Sequence, residues 1–539
     1  MNSLYYGDNL DILREHIKDE SIDLIYLDPP FNSKATYNVL FKTPAGHESD
    51  AQITAFDDTW HWGEQAEKEF NEILHQSNTD VAEMMRALRS FLGENDMMAY
   101  LTMMANRLLE LHRVLKPTGS LYLHCDPTAS HYLKVVLDGV FGPKNFQSEI
   151  SWKRSSAHSD AKQGRKIYGN IRDIIFLYTK TDSWTWNWLY TAYSKEYTEG
   201  FYKHIDSTTG RRYRLDNLTA AKPGGDTSYE FYGTKPYRGR YWAYSKEKME
   251  QFKKDGRLYF PKNGGTPSYK RYLDEMPGVP LQNDWDDIKP APRNEYLGYP
   301  TQKPLSLLER IIKTSSNEGD LVLDPFCGCG TTVHAAQKLN REWIGIDRTH
   351  LAISLIEKRL RDAFPGIEFE VHGTPKDFGG AQDLANRDKY QFQWWACSLV
   401  NAQPYQGKKK GADSGIDGLI FFQDDKGPAK KVIVSVKGGE NVSVSMIRDL
   451  GHVVEREKAQ IGLFVTLASP TQPMTKEAVK AGYYESPLVK KNFHKIQILT
   501  IEGLLNGTER ASYPSEESFG GHTFKKAKKE ESSKQKNLF

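Results

Sequence analysis

A short acidic and proline-rich segment, Asp28-Pro29-Pro30-Phe31, directly follows an apolar run at Ile22–Leu27. Two prolines cannot continue a central sheet ladder, so the segment is either only a rigid turn that ends a strand, with a capping Asp, or a fixed site. As a site, the Asp28 carboxylate and the Pro29 carbonyl would accept hydrogen bonds from an exocyclic amine. They would draw its delocalised nitrogen toward a tetrahedral state that attacks a methyl sulfonium. Phe31 offers a stacking face for a base flipped out of a duplex.

A glycine-rich turn, Asp324–Thr332, lies between a predicted strand and a predicted helix. Gly328 and Gly330 would let a ligand approach the backbone closely, although a G-x-G alone often marks only a tight turn. Asp347 ends the next strand, 23 residues after Asp324, where an acid can bind ribose hydroxyls. The spacing matches neither G-x-G-x-x-G nor a phosphate loop. It therefore favours a nucleoside ligand without phosphates, such as S-adenosylmethionine.

A third group of residues lies near the C-terminus. If strands at Leu419–Phe422 and Lys431–Lys437 pair as a hairpin, Asp417 and Lys437 meet at one end, and Ser435 shares a face with Lys437. An Asp with a Glu-x-Lys in this arrangement would bind Mg²⁺ and orient a water against a phosphodiester. Here a serine occupies the acidic position, and a hydroxyl is a poorer Mg²⁺ ligand than a carboxylate. Two other acids could replace it: Asp413 and Glu440.

The first two groups lie in an alternation of strands and helices, which predicts an α/β fold with a parallel sheet. The predicted strands are Ile22–Leu27, Ser120–His124, Asp320–Asp324 and Glu342–Asp347, and the helices are Asp96–Leu115 and Thr331–Leu339. A new unit begins near Asn386. It comprises a helix at Gln391–Val400, the two hairpin strands, a helix at Ile447–Lys458 and a strand at Ile461–Thr466.

Composition excludes several classes of protein. A length of 539 residues favours about three domains. The formal net charge of +2 excludes a wholly basic coat protein. No apolar run is long enough to span a membrane, and the first residues lack the pattern of a signal peptide. Four cysteines without a CxxC pair make no disulfide framework. We therefore expect a cytoplasmic protein.

The charge is concentrated in one part of the chain. The 83 residues Tyr190–Tyr272 hold 17 Lys and Arg against 9 Asp and Glu, a net charge of +8, which leaves −6 for the rest. The same stretch contains 13 of the 29 tyrosines. Basic residues interleaved with aromatic ones suit phosphate contacts and stacking on bases, although a solvated, Tyr-rich surface has the same composition.

The combination of Asp28–Phe31 with Asp324–Thr332 resembles the amino-methylating DNA methyltransferases, and the order of the two motifs matches their permuted β group. The Asp-Pro-Pro-Phe form points to N6 of adenine, whereas Ser-Pro-Pro-Tyr would point to N4 of cytosine. Further segments resemble family elements: Gly7-Asp8, Ala55–Trp60, Leu115–Asp126 and Tyr299–Pro304. The resemblance spans about Leu4 to His372.

The resemblance implies a Rossmann-like, S-adenosylmethionine-dependent methyltransferase fold with an inserted target recognition domain. The catalytic residues would be Asp28, Pro29, Pro30 and Phe31. The cofactor would bind to Gly7, Asp8, Thr301, Lys303, Asp324, Phe326, Gly328, Gly330, Thr331 and Asp347. The base-binding half would cover residues 1–153, the DNA-binding insertion 154–298 and the cofactor half 299–378.

The C-terminal part resembles the Mrr-type branch of the PD-(D/E)xK restriction nucleases over about Phe392 to Leu504. This implies an α/β restriction endonuclease-like domain at 387–508, followed by a disordered, Lys-rich tail at 509–539. Asp417, Ser435 and Lys437 are the nuclease candidates, with Asp417 as the Mg²⁺ ligand. The same fold could instead only bind DNA or a partner, with Asp417 as a turn residue.

The leading hypothesis is a DNA adenine-N6 methyltransferase of a bacterial or archaeal restriction–modification or phage-defence system, with Mg²⁺-dependent nuclease activity left open. The alternatives are a DNA-cleaving enzyme whose methyltransferase part mainly recognises DNA, a cytosine-N4 methyltransferase, and a non-catalytic DNA-binding protein. A protein or RNA methyltransferase is a further alternative. Such enzymes usually begin the proline motif with Asn and lack a basic insertion of 83 residues. The expected partner is double-stranded DNA, and the family resemblance suggests a homodimer.

Overall fold

The computed structural model describes most of the chain, and the described residues fall into two compact units. The units are Trp188–Gln282 and the remainder, and each is presented separately below. The described residues are 2–30, 36–42, 48–57, 60–155, 166, 168–222, 224, 227–262, 264–299, 301–405, 415–514 and 523–530, with only the backbone described at 36–42 and 48–57. None of their helices is both long enough and apolar enough to cross a membrane.

The larger unit begins with alternating strands and helices. Its elements before the insertion are β1 (Ser3–Tyr6), α1 (Asn9–His16), β2 (Ile22–Leu27), β3 (Thr36–Lys42), β4 (Glu48–Asp57), α2 (Glu64–Leu74), α3 (Thr79–Leu92), α4 (Asp96–Val114), β5 (Leu115–Cys125), α5 (Ser130–Phe141), β6 (Phe146–Lys153) and β7 (Arg172–Thr179). The predicted strand at Ile22–Leu27 is β2, and the predicted helix at Asp96–Leu115 ends one residue earlier.

The smaller unit, Trp188–Gln282, contains short strands and two helices. They are β8 (Tyr190–Thr191), α6 (Lys195–Phe201), β9 (His204–Ile205), β10 (Arg212–Asn217), β11 (Thr219–Ala220), β12 (Tyr241–Trp242), α7 (Lys246–Lys254), β13 (Leu258–Tyr259), β14 (Ser268–Tyr272) and β15 (Val279–Pro280). Strands β13, β14, β10 and β9 form one sheet. The unit has its own small core, formed by Leu218, Phe231, Trp242, Met249 and Leu258.

After the insertion, the chain returns to the first sheet. The elements are β16 (Asp284–Trp285), α8 (Leu305–Ser315), β17 (Leu321–Asp324), α9 (Thr331–Lys338), β18 (Glu342–Asp347), α10 (His350–Ala363) and β19 (Glu370–His372). The nine strands lie in the order β16-β6-β7-β5-β2-β17-β18-β1-β19. The sheet is mixed rather than purely parallel, because β7 runs antiparallel to both β5 and β6.

The two parts of the chain meet at the centre of this sheet. Val322 and Leu323 of β17 pair in parallel with Leu24 and Ile25 of β2, and all four are buried. Both faces of the sheet are covered by helices, which is why its central strands are continuously apolar. The predicted α/β fold class, with a C-terminal α/β domain, is confirmed.

The C-terminal domain is formed by α11 (Phe378–Arg387), α12 (Lys389–Leu399), β20 (Gln403–Pro404), β21 (Gly418–Phe422), β22 (Lys430–Lys437), α13 (Val444–Arg456), β23 (Ile461–Thr466), α14 (Gln472–Lys480), β24 (Tyr483–Glu485), β25 (Asn492–His494), β26 (Ile496–Thr500) and α15 (Ile501–Leu505). Its main sheet has the order β20-β21-β22-β23-β26. The predicted hairpin is present, since β21 and β22 pair antiparallel with Gly418 opposite Val434.

The described end of the chain, residues 523–530, differs from the prediction of a disordered tail. Thr523 is buried, and its hydroxyl contacts the backbone N–H and carbonyl of Phe421 in β21. Lys525 donates to the backbone carbonyl of Tyr296 at 2.7 Å, and Glu530 forms an ion pair with Lys338 at 3.1 Å. These polar contacts anchor the segment to the larger unit.

Candidate active site

The carboxyl ends of β2, β17, β18 and β1 enclose a cavity of about 260 Å³. Ligand sites of open α/β sheets lie at this edge, because the loops that follow parallel strands meet there. Of the predicted site residues, Gly7, Asp8, Asp28, Pro29, Pro30, Thr301, Lys303, Asp324, Phe326, Gly328, Thr331 and Asp347 line the cavity. Gly330 does not, and Phe31 lies outside the described residues.

The glycine-rich turn needs its two glycines for different reasons. Gly328 lines the cavity with a φ of +53°, in the left-handed region that favours glycine. Gly330 has a φ of +76° and precedes α9, and a Cβ there would lie 2.8 Å from a side-chain carbon of Ile356. Gly330 thus accommodates helix α10 rather than a ligand.

Two carboxylates that we predicted to bind the cofactor are held by protein donors. The Asp347 carboxylate accepts hydrogen bonds from the N–H of Gly328 and the N–H and hydroxyl of Thr349, each at 2.9 Å. Burial raises the pKa of Asp347 despite these bonds. Asp8 pairs with Arg107 at 2.9 Å. Because a carboxylate offers about four acceptor sites, both acids retain capacity for a ligand hydroxyl or amine.

Asp28 lies on the same edge of the sheet, and the two oxygens of its carboxylate differ in their polar contacts. Its Oδ2 forms an ion pair with the ammonium of Lys303, and both side chains are largely buried. Its Oδ1 is buried and has no hydrogen-bond partner among the described residues. A buried, unsatisfied carboxylate oxygen costs free energy unless a ligand supplies a donor. Asp28 is therefore arranged to accept a hydrogen bond in the cavity.

A buried polar chain supports the strand that ends at Asp28. Tyr26 lines the cavity, and its hydroxyl lies 2.8 Å from Nδ1 of His124 in β5. Nε2 of His124 lies 3.2 Å from Asp173 of β7, which pairs with Arg154 at 2.8 Å. His124 belongs to a segment that we matched to the family, but its partners depend on the pairing of β5 with β7.

A second buried chain holds the glycine turn. The Arg359 guanidinium of α10 donates to the Cys329 carbonyl and the Thr331 hydroxyl, each at 3.1 Å, and also to Nδ1 of His334 at 3.1 Å. Nε2 of His334 lies 3.2 Å from Glu530 in the tail. Burial lowers the pKa of His334 to about 4, so its imidazole is neutral at pH 7. Arg359 thereby fixes the turn and is itself contacted by His334, and no sequence motif indicated either residue.

Other residues that line the cavity were not predicted individually, although seven of them lie in the matched segments Ala55–Trp60, Tyr299–Pro304 and Asp324–Thr332. They are Asn9, Tyr26, Trp60, Met103, Arg107, Tyr299, Gln302, Leu308, Pro325, Cys327, Cys329, Thr332, Arg348 and Thr349. For Arg107 a signal was present, because it is a cation in the run MMANRLL of α4, in which Asn106 is the one other polar residue. A buried cation on such a face requires a partner, and here Asp8 and Asn9 provide it.

In the predicted nuclease site, Asp417 lies beside β22, which carries Ser435, but the described residues there do not form a metal site. Asp417 accepts hydrogen bonds from the side chain of Gln393 and the N–H of Val436, both at 2.6 Å, so each carboxylate oxygen has a structural role. Ser435 is buried in β22. Glu440 is exposed, and Asp413 lies outside the described residues. No cluster of three or more metal-ligating side chains occurs where the structure is described, so the predicted Mg²⁺ site is not supported.

Asp324 is the acid most affected by burial. It lies at the carboxyl end of β17, 3% exposed, and accepts a hydrogen bond from the Phe326 N–H at 3.0 Å. Burial raises the pKa of Asp324 from 3.8 to about 7, although its hydrogen bonds oppose the shift. The folded protein therefore holds a proton on Asp324 that the unfolded chain releases above about pH 4. This stability contribution is lost as the pH rises through 7.

We expect Asp324→Asn to remove this pH dependence. As the pH rises from about 5 to about 8, the unfolding free energy of the variant minus that of the wild type should increase by roughly 2–3 kcal/mol. The wild type loses stability over this range because its buried carboxyl must ionise, and the variant has no such carboxyl. Urea unfolding of both proteins at the two pH values measures the difference. Asp182→Asn, at an exposed position, is the control. A stability difference that does not change with pH would contradict the assignment.

Comparison with known proteins identifies sequence relatives of this chain. A family model described as DNA methylase, which covers N6 and N4 methyltransferases, matches residues 22–358. Type II methyltransferase M.EcaI of Enterobacter cloacae is 29% identical over 372 residues, covering 67% of this chain and 69% of that protein. The StyLTI Mod subunit, from a type III restriction–modification enzyme of Salmonella typhimurium, is 29% identical over 357 residues, which cover 63% of this chain but only 50% of the subunit.

The C-terminal domain has a separate similarity. Residues 397–506 match a model described as NACHT-associated inactive Restriction Endonuclease 1. Among solved structures, the putative DNA modification methylase TTHA0409 of Thermus thermophilus, in complex with S-adenosyl-L-methionine, matches with a TM-score of 0.34 and 16% identity, over 69% of this chain and 98% of that one. Because the methylase model alone matches well over half of the 539 residues, the chain belongs to the DNA methylase family.

Proposed function

We propose that this chain transfers a methyl group from S-adenosylmethionine to N6 of adenine in double-stranded DNA, within a restriction–modification system. The proposal rests on the Asp28 carboxylate, whose buried Oδ1 has no hydrogen-bond partner among the described residues. Asp28 lines the same cavity as the glycine turn. The type II and type III restriction–modification relatives support the biological setting.

The lining of the cavity fits the proposed cofactor. Four acids line it, namely Asp8, Asp28, Asp324 and Asp347. Arg107 and Lys303 also line it but are paired with two of these acids, so they do not form a basic cluster for phosphates. Carboxylates suit a ribose diol and a cationic sulfonium. When bound, S-adenosylmethionine would supply an electrophilic methyl group, with Gly328 and Asp347 on its nucleoside side.

Asp28 performs the central step in this scheme. Its Oδ1 would accept a hydrogen bond from the target amine, which weakens delocalisation of the nitrogen lone pair into the ring. Transfer leaves the nitrogen with one proton too many, and the same oxygen is positioned to accept it. The target base must leave the duplex to reach this cavity. The Asp-Pro-Pro-Phe form of the motif favours adenine; cytosine N4 is the second candidate.

Replacing Asp28 tests the proposal directly. We expect Asp28→Ala to lower methyl transfer at least about 100-fold, because the amine loses its acceptor, while affinity for S-adenosylmethionine changes little. Mass spectrometry of nucleosides from DNA methylated in vitro measures the rate and identifies the product. Asp182→Asn should match the wild type. Methylation that persists in Asp28→Ala would refute the proposed role of Asp28, and N4-methylcytosine as the product would favour the second candidate.

The insertion unit is proposed to recognise the DNA. Much of its positive charge is neutralised within the unit, for example between Arg257 and Glu275 at 2.6 Å and between Lys270 and Asp206 at 2.8 Å. Lys235, Tyr237 and Arg238 are instead exposed together in the segment before β12. Neither cation has an ion-pair partner among the described residues, so both are suited to phosphate contacts.

We expect a double variant, Lys235→Ala with Arg238→Ala, to weaken DNA binding by a similar factor for all sequences. The slope of log affinity against log salt should fall by about 1.8, because two phosphate contacts are lost. Fluorescence anisotropy at several salt concentrations measures it. Lys18→Ala, at an exposed position outside the insertion, should leave the slope unchanged. An unchanged slope in the double variant would exclude this segment from the DNA contact.

For the C-terminal domain we propose a non-cleaving role. The carboxylate oxygens of Asp417 are already used in structural hydrogen bonds, and Ser435 stands where a second acid is needed. A hydroxyl in place of that acid weakens Mg²⁺ binding. The match to an inactive restriction endonuclease model supports this view.

We therefore expect the wild-type protein to leave supercoiled plasmid intact in the presence of Mg²⁺, as judged by agarose electrophoresis. The variant Lys437→Ala should behave in the same way. Nicking that requires Mg²⁺ and disappears in Lys437→Ala would restore the alternative of a DNA-cleaving enzyme. Nicking present in both proteins would place a nuclease site elsewhere.

A further inference from the structure

The side chain of Lys303 has a different partner from the one that its motif predicted. Its motif indicated a cofactor contact, but its ammonium forms an ion pair with Oδ2 of Asp28, 275 residues earlier in the chain. The two side chains are only 11% and 16% exposed. Charges this poorly hydrated attract each other strongly, and losing one partner leaves the other buried without compensation.

The backbone around Lys303 is held firmly. Its own carbonyl accepts a hydrogen bond from the Thr331 hydroxyl at the start of α9, at 3.3 Å. The side chain of the preceding Gln302 bonds the N–H of Leu297 at 2.8 Å and the carbonyl of Glu295 at 3.0 Å. Since the stem of Lys303 begins at a fixed point beside the glycine turn, its ammonium restricts where Asp28 can be.

The pair also makes the Asp28 carboxylate asymmetric. Rotation about the terminal bond of an aspartate is soft, so an unbonded carboxylate has no fixed plane. An ammonium on Oδ2 fixes that plane and leaves Oδ1, which has no partner among the described residues, as the acceptor in the cavity.

We propose that Lys303 is a positioning residue for the methyl-transfer step: it orients the Asp28 carboxylate toward the target amine rather than binding the cofactor. The inference rests on the proposed function. It also means that the segment between the insertion and α8 completes the base-binding site, although it belongs to the cofactor half of the chain.

The experiment uses Lys303→Met, which keeps the length of the side chain without its charge, and Lys303→Arg, which keeps the charge. Single-turnover methylation of target DNA at saturating S-adenosylmethionine isolates the chemical step, and calorimetry gives cofactor affinity. We expect Lys303→Met to slow transfer about 30- to 100-fold, with cofactor affinity within about threefold of wild type. Lys303→Arg should recover about tenfold of this loss. Lys313→Met, an exposed residue of α8, is the matched control.

A double-variant comparison provides a readout that does not depend on activity. If Lys303 acts through Asp28, Lys303→Met should lower the melting temperature more than Lys303→Met combined with Asp28→Asn, because the double variant leaves no unpaired buried carboxylate. If the change in melting temperature of the double variant equals the sum of the changes for Lys303→Met and Asp28→Asn alone, the pairing of the two residues would be overturned. This comparison remains informative if the single variant is too unstable for kinetics.

Two kinetic results would also overturn the proposal. One is a large loss of cofactor affinity in Lys303→Met with an unchanged rate at saturation, which would return Lys303 to cofactor binding. The other is a wild-type rate with unchanged affinity. Failure of the proposed function is distinguishable, because the wild-type protein itself would then methylate no base in DNA.

Discussion

The pairing of β2 with β17 is the constraint on which the site depends. These strands come from opposite sides of the insertion, and their parallel register places Leu24 beside Val322 at the centre of the nine-stranded sheet. Asp28 follows one strand and Asp324 ends the other, so the proline motif and the glycine turn become neighbours only when both parts of the chain have folded together. The Lys303–Asp28 ion pair joins the same two parts at the level of side chains.

The sequence predicted the central strands and the edge at which the site lies. Ile22–Leu27 and Glu342–Asp347 were predicted with the bounds that the structure shows, because each is an apolar run that ends at an acid before a turn. The antiparallel β7 was not predicted, since strand direction depends on non-local pairing. Motif spacing likewise indicates which residues reach one edge, but not which charges pair, so the partners of Lys303 and Arg107 became visible only in the fold.

Burial determines the pKa values and the pairing of the charged groups in this site. Burial raises the pKa values of Asp324 and Asp347, and the buried Arg359 guanidinium has carbonyl, hydroxyl and imidazole acceptors. The Arg359 guanidinium and the Asp347 carboxyl thus hold the turn through hydrogen bonds. Asp28, in contrast, forms an ion pair with Lys303, and this contact is the basis for the proposed orienting role of that lysine.

In the C-terminal domain, the described residues hold no cluster of metal-ligating side chains, and Asp417 has structural hydrogen-bond partners instead. Asp417 now connects α12 to the end of β22, a structural role that requires no ion. The core of this domain is also continuous with the cofactor half, because Leu419 and Phe421 belong to the same buried cluster as Tyr299 and Cys329 of the cavity lining. Its packing and the position of the glycine turn are therefore coupled.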